Sequence, residues 1–222
     1  MSELDDLILP EIFNDKLFGV IKELASNPLV KNILEIGSSS GEGSTRAFYE
    51  GIGDREDVQL FCLEMSKIRF NKLLENYRGD LRLKCFNMSS IHLDEFPFEE
   101  VVVDFYQTTP SVLNAFPLER VLGWLVQDKM YIRQNGVHCG GIAEIKRIYG
   151  IKLFDLVLID GSEFTGYAEF RKIVGAKTII LDDVCSFKNF RTYLSLWNNQ
   201  DYRLLCEDKT LRSGFAVFER VA

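Results

Sequence analysis

Short continuous apolar runs alternate along this chain with stretches in which apolar residues recur at spacings of three and four. The runs at 33–36, 58–63, 81–86, 154–159 and 178–181 read as buried strands, and the stretches at 42–50, 66–77, 164–174 and 187–197 as helices. Alternation of this kind predicts a parallel sheet covered by helices on both faces, with a ligand site at the C-terminal ends of its strands. Two further strands, 202–206 and 214–219, flank DKTLRSG, which leaves no room for a helix, so they are expected to pair antiparallel. The predicted class is α/β: a doubly wound, mostly parallel seven-stranded sheet closed by a C-terminal antiparallel hairpin. Ahead of it, Phe13, Leu17, Val20, Ile21 and Leu24 mark an amphipathic helix over 10–27, within an N-terminal helical extension, 1–30.

The rhythm breaks over 92–152, a segment longer than a simple crossover needs. Within it Leu118, Val121, Leu122 and Leu125 share one helical face after Pro117, a good first-turn residue. The segment reads as a helical insertion or lid facing a substrate. Its aromatics Phe96, Phe98, Phe105, Tyr106, Phe116 and Trp124 serve equally well as a satellite core or as the contact of a homodimer.

With 222 residues, 46% of them hydrophobic, the chain can bury a full core, and 1–222 is read as a single domain. The formal net charge of −7 and the absence of Lys/Arg clusters interleaved with aromatics argue against a dedicated nucleic-acid binder. Cys62, Cys85, Cys139, Cys185 and Cys206 contain no C-x-x-C pair and read as reduced, mostly buried thiols of a cytoplasmic protein. The segment MSELDDLILPEIFND has no basic region followed by an apolar core, and no run approaches the ~20 apolar residues of a membrane span.

The candidate chemistry begins at NILEIGSSSGEGSTRAFYEG, over 32–51, where a buried strand ends in a glycine/serine turn that leads into a helix. Gly37, Gly41 and Gly43 stand where the chain must turn tightly and admit a ligand close to its backbone. The spacing fits the dinucleotide fingerprint G-x-G-x-x-G poorly. It resembles instead the first motif of class I S-adenosylmethionine (SAM) dependent methyltransferases, in which an acidic strand residue, here Glu35, precedes a G-x-G-x-G-like loop; Ser39 takes the place of the middle glycine. The resemblance runs from about Lys31 to the C-terminus apart from the insertion, and a terminal hairpin is a trait of that family. It implies a cofactor site in which Gly37, Ser38, Ser39 and Gly41 approach the methionine part and Glu35 lies below them. Glu64, at the end of VQLFCLE, would take the ribose diol, Asn87, Met88 and Ser89 would flank the adenine, and Ser44, Met65 and Asp160 complete the cofactor-binding set. On local grounds alone Glu64 can also cap the helix after it, and Asn87 and Ser89 can be ordinary turn residues.

FDLVLIDGSEF and AKTIILDDV place Asp160 and the pair Asp182 and Asp183 at the ends of two buried strands. Adjacent parallel strands lie about 4.8 Å apart, so these carboxylates should converge beside the cofactor, where they repel unless protonated or bridged by a cation. The pattern resembles metal-dependent O-methyltransferases of the catechol and sugar-modifying type, and that resemblance implies Mg²⁺ on Asp160, Asp182 and Asp183. Those enzymes often carry a Lys or His shortly after the first Asp; here the stretch is Gly161, Ser162, Glu163. The catalytic candidates are therefore Asp160, Asp183 and Glu163, while each Asp is also an adequate cap for the helix that follows it. Two histidines, His92 and His138, give no His-based zinc site; Tyr167, Lys188 and Arg191 follow the acidic strand ends and could contact a substrate, with surface helical positions the safer reading. The expected activity is SAM-dependent methylation of a hydroxyl on a small-molecule acceptor. The competing readings are a non-catalytic SAM-binding or interaction domain and, less favoured by the glycine spacing, an NAD-dependent oxidoreductase.

Overall fold

The computed structural model describes Leu4 and residues 6–221. The apolar runs become β1 (Asn32–Ile36), β2 (Gln59–Glu64), β3 (Leu83–Asn87), β4 (Leu156–Ile159), β5 (Thr178–Asp182), β6 (Tyr202–Asp208) and β7 (Phe215–Arg220). They form one sheet in the order β3-β2-β1-β4-β5-β7-β6. β1 to β5 pair in parallel, while β7 runs antiparallel to both β5 and β6, as the short DKTLRSG connection requires. The order reverses between β1 and β4, and it is there, at the strands' C-terminal ends, that an open α/β sheet leaves a crevice.

The helices are α1 (Lys16–Ser26), α2 (Ser44–Ile52), α3 (Lys67–Asn76), α4 (Glu99–Thr108), α5 (Leu118–Gln134), α6 (Gly141–Tyr149), α7 (Gly166–Ile173) and α8 (Phe187–Trp197). The pleat sorts each strand between two cores. Ile33, Leu60, Cys62, Leu156, Leu158 and Ile180 pack with Leu17, Ile21, Phe48 and Leu73 of α1 to α3. Leu34, Phe61, Val157, Ile159 and Leu181 pack with Val121, Leu125, Ile142, Ile173 and Leu196 of α5 to α8 on the other face. All five cysteines are free thiols. Among the described residues no helix is long and apolar enough to cross a membrane.

The first helix starts later than its periodicity suggests. Asn14 takes a left-handed φ of 52°, which interrupts any helix through it, and the Asp15 carboxylate then accepts the Phe18 N–H at 2.8 Å as an N-cap. Residues 7–15 form a non-helical strap instead, with Ile12 buried and Phe13 exposed.

Segment 92–152 holds three helices, of which α6 is the crossover that returns the chain to β4. In α5, Val121, Leu125 and Ile132 are buried in the main core. At about 1.5–3 kcal/mol for each fully buried aliphatic side chain, they fix α5 to the body of the fold rather than leave it hinged off. Phe105 of α4 packs edge-on against Phe187 and Phe190 of α8, at 5.1 and 5.5 Å between ring centres.

Gly51 of α2 lies against α1 so closely that an added Cβ would stand 2.3 Å from the Lys22 carbonyl oxygen and 2.8 Å from the Ala25 Cβ. Gly51→Ala should therefore push the two helices apart and lower stability by about 1–3 kcal/mol, read as a lower urea midpoint with an unchanged m-value.

Candidate active site

The turn after β1 is pinned on two sides. Gly37, at φ 89°, passes so close to the end of β4 that a Cβ would lie 2.0 Å from the Asp160 carbonyl oxygen. Gly41, at φ 82°, is pressed against α3, where a Cβ would meet Leu73 and Tyr77 at 2.6 and 2.7 Å. The Tyr77 hydroxyl donates to the Gly41 carbonyl at 2.6 Å, and the Asn76 amide donates to that of Ser40 at 2.9 Å. Gly41 was expected to make room for a ligand; it makes room for α3 and does not line the cavity. Between the two glycines Ser39 adopts φ 48°, and its N–H donates to Glu64 Oε2 at 2.7 Å. The other Glu64 oxygen accepts the Ser66 N–H at 2.6 Å, so one carboxylate joins the β1 turn to the start of α3. Burial pushes the Glu64 pKa up against the pull of these donors and of Arg69.

Glu35 lies fully buried beneath the turn and accepts the Thr45 hydroxyl at 2.7 Å, and burial raises its pKa against the pull of Ser44, Thr45 and Ser38. The cavity above is lined by Gly37, Ser38, Ser39, Ser40, Gly43 and Ser44 from the turn, Glu64 and Met65 from the end of β2, Met88 and Ser89 from the end of β3, and Asp160 from the end of β4. Asn87 is not in the lining. Its amide donates to the Glu64 and Met65 carbonyls, both at 2.9 Å, and ties β3 to β2. The expected role beside the adenine gives way to this strand-end clamp.

The rest of the lining went unread in the sequence. Ile8 to Ile12 of the strap close one side. Asp128 arrives from α5 and accepts the Ser162 hydroxyl, and Glu169, fully buried on α7, accepts Ser90 at 2.5 Å and Thr165 at 2.7 Å. Burial pushes Asp128 up to about 6 and raises Glu169 as well.

Asp160, Asp182 and Asp183 converge as expected, each offering an oxygen within 4.8 Å of the others. Their neutralising charge comes from the chain. Lys188, in the first turn of α8, places its ammonium 2.9 Å from Asp160 and 2.6 Å from Asp183. Arg212, in the turn of the terminal hairpin, meets Asp182 at 3.0 and 3.3 Å and also pairs with Asp15. Burial opposes the Lys188 charge, but Asp160, Asp183, Glu163 and Asp182 outweigh it and hold the pKa well above the ordinary lysine value. Lys188 is thus a buried member of the cluster and lines the cavity, not a surface helical residue. Tyr167 and Arg191 stack on each other at 3.9 Å outside it. Glu163 is not placed for catalysis: its Oε1 accepts the Ser186 hydroxyl and, at 3.1 Å, the Lys188 N–H, which makes it a cap for α8. His138 is exposed, and its carbonyl accepts the Ser89 N–H at 2.8 Å.

This donor set does not suit a resident Mg²⁺. A hard divalent ion is drawn by carboxylate charge that nothing else neutralises, and here an ammonium and a guanidinium already pair with all three carboxylates.

No protein-family model and no curated protein matches the chain. Solved structures match it along nearly its whole length. An O-methyltransferase from Bacillus cereus in complex with SAH is 16% identical, with 96% of this chain and 84% of that one covered at a TM-score of 0.57. Cofactor-bound Rv0187 from MTB is 17% identical over 98% and 85% of the two chains, at 0.53. The SAH-bound Podospora anserina methyltransferase PaMTH1 is 16% identical over 96% and 81%, at 0.51. The fold is the class I methyltransferase fold.

In a methyltransferase fold the β1 turn and the ends of β2 and β3 are fixed by short-range chain geometry, so the sequence motifs located them. Lys188, Arg212, Asp128 and Glu169 reach the site from helices and a hairpin turn. Their one sequence signal is weak: Lys188 stands in the first turn of the helix that leaves Asp182 and Asp183, where it can fold back on the strand ends.

Asp128 yields a pH prediction. Its native pKa of about 6 lies above the ordinary 3.8, so its stabilising contribution is complete below about pH 4 and is lost as pH rises through 6. Asp128→Asn should be more stable than the wild type by up to about 3 kcal/mol above pH 7, and the gain should vanish near pH 4 in paired urea melts.

Proposed function

We propose that the chain is a SAM-dependent methyltransferase that methylates a hydroxyl oxygen of a small molecule. The observation that carries this reading is the Glu64 carboxylate held at the cavity wall beside the Gly37–Ser40 turn. A carboxylate at the end of the second strand suits a ribose diol. Met65, Met88 and Ser89 offer a mixed apolar and polar wall for an adenine ring, and Ser39, Ser40 and Ser44 complete the methionine end. Glu64, Asp128, Asp160 and Glu169 face the same space against two cations, Arg69 and Lys188, an excess of carboxyl groups that favours a cationic ligand.

Bound SAM would supply the methyl group as a sulfonium electrophile open to in-line displacement. The chain's residues position the partners, an effect able to supply up to ~7–11 kcal/mol, and the strap and Phe96 form part of the cavity wall. Asp160, the one aspartate of the cluster in the lining, would accept the proton released by the acceptor hydroxyl. The solved O-methyltransferase from Bacillus cereus supports an oxygen acceptor, and the net charge of −7 supports a small molecule over a nucleic acid.

Calorimetric titration with S-adenosylhomocysteine tests the cofactor site. Micromolar binding is expected, weakened about 10–100-fold in Glu64→Gln as hydrogen bonds to a charged acceptor are lost. Labelled methyl transfer to a panel of hydroxyl compounds then identifies the acceptor. Absence of binding to the wild type would overturn the reading.

A further inference from the structure

The two cations at the acidic cluster are held as firmly as the acids they meet. Lys188 sits behind Gly166, where an added Cβ would lie 2.1 Å from the Lys188 carbonyl oxygen, so α7 and α8 touch backbone to backbone at this point. The Glu163 cap fixes the Lys188 N–H from the other side. Asn189, the next residue, donates to the Ile159 carbonyl at 2.9 Å and the Asp182 carbonyl at 2.6 Å, which locks the first turn of α8 onto the ends of β4 and β5. The ammonium is therefore anchored between Asp160 and Asp183 by its backbone as well as by its charge, and only 10% of its side chain is exposed.

We propose that Lys188 is a built-in cation that occupies the divalent-ion position of this cluster and polarises the acceptor oxygen, so that the site works without a metal. An ammonium carries three N–H groups. Asp160 and Asp183 engage two of them, which leaves one for an oxygen in the cavity that Lys188 lines. A divalent ion with several open positions favours an acceptor that chelates through two adjacent oxygens; a single N–H selects an acceptor that presents one. The acceptor class is accordingly a compound with an isolated hydroxyl, for which a vicinal diol or catechol has no advantage. The part of Lys188 in methyl transfer rests on the function proposed above, whereas its place in the cation position does not.

Mn²⁺ binding followed by electron paramagnetic resonance tests the assignment without turnover. Wild-type protein should leave millimolar Mn²⁺ free in solution, and Lys188→Ala, which keeps the three aspartates, should bind it at least about tenfold more tightly. A wild-type protein that binds Mn²⁺ as well as the variant does would overturn the proposal, as would a folded variant that binds none. Should Lys188→Ala not fold, the wild type decides: no Mn²⁺ signal and a melting temperature indifferent to EDTA or added Mg²⁺ support the assignment, and a Mn²⁺ signal overturns it. The titration with S-adenosylhomocysteine separates the two levels. Its failure would remove the methyl-transfer role while the Mn²⁺ readings still decide the cation position. Once an acceptor is known, full-rate transfer in excess chelator is the expected companion result.

Discussion

Negative charge taken out of water at the ends of β4 and β5 sets the terms for its surroundings. Two carboxylates 4 Å apart repel by about 4 kcal/mol at an effective dielectric constant near 20, and a whole domain is stable by only about 5–15 kcal/mol. Three such groups within 4.8 Å must either take up protons or be met by nearby positive charge. Lys188 and Arg212 meet this demand, and their backbones dictate how α8 and the terminal hairpin must seat. Asn189 and the Glu163 cap hold α8 down, and Arg212 draws the hairpin turn toward Asp15 just before α1.

The pleat of β5 divides the labour within the aspartate pair. Asp182 shares its side of the sheet with Ile180, toward α1 and α2, where it is 1% exposed and answered by Arg212. Asp183 follows with φ 58°, a left-handed step that redirects the chain, and its carboxylate meets Lys188. Adjacent acids that look equivalent as letters thus serve different ends, one joining the hairpin to the N-terminal strap and the other helping to hold the ammonium at the cavity.

Much of this was legible in the sequence because it depends on short-range constraints. Strands buried on both faces must be apolar throughout, and DKTLRSG is too short for a helix, so the sheet and its terminal hairpin could be read directly. Ser38, Glu64 and Asp160 were legible because a turn after a strand fixes where its next residues point. Gly41, Asn87 and Glu163 have the right spacing for a ligand site, but each is claimed by a nearer part of the protein: α3, the carbonyls at the end of β2, and the first turn of α8. Lys188 could be read only as a surface position or a substrate contact, and Arg212 not at all, because a lysine on an amphipathic helix and an arginine in a turn look solvated until tertiary packing brings buried acids to them.

The Arg212 contact joins parts of the chain that are made far apart in time. Asp15 and Asp182 wait for a guanidinium that leaves the ribosome only after β6 has been made. A nascent chain that already holds β1 to β5 and α1 to α8 still carries a carboxylate at the sheet edge without this partner. Chain synthesis is vectorial, so the charge balance at Asp15 and Asp182 is incomplete until the hairpin that closes the sheet has been made.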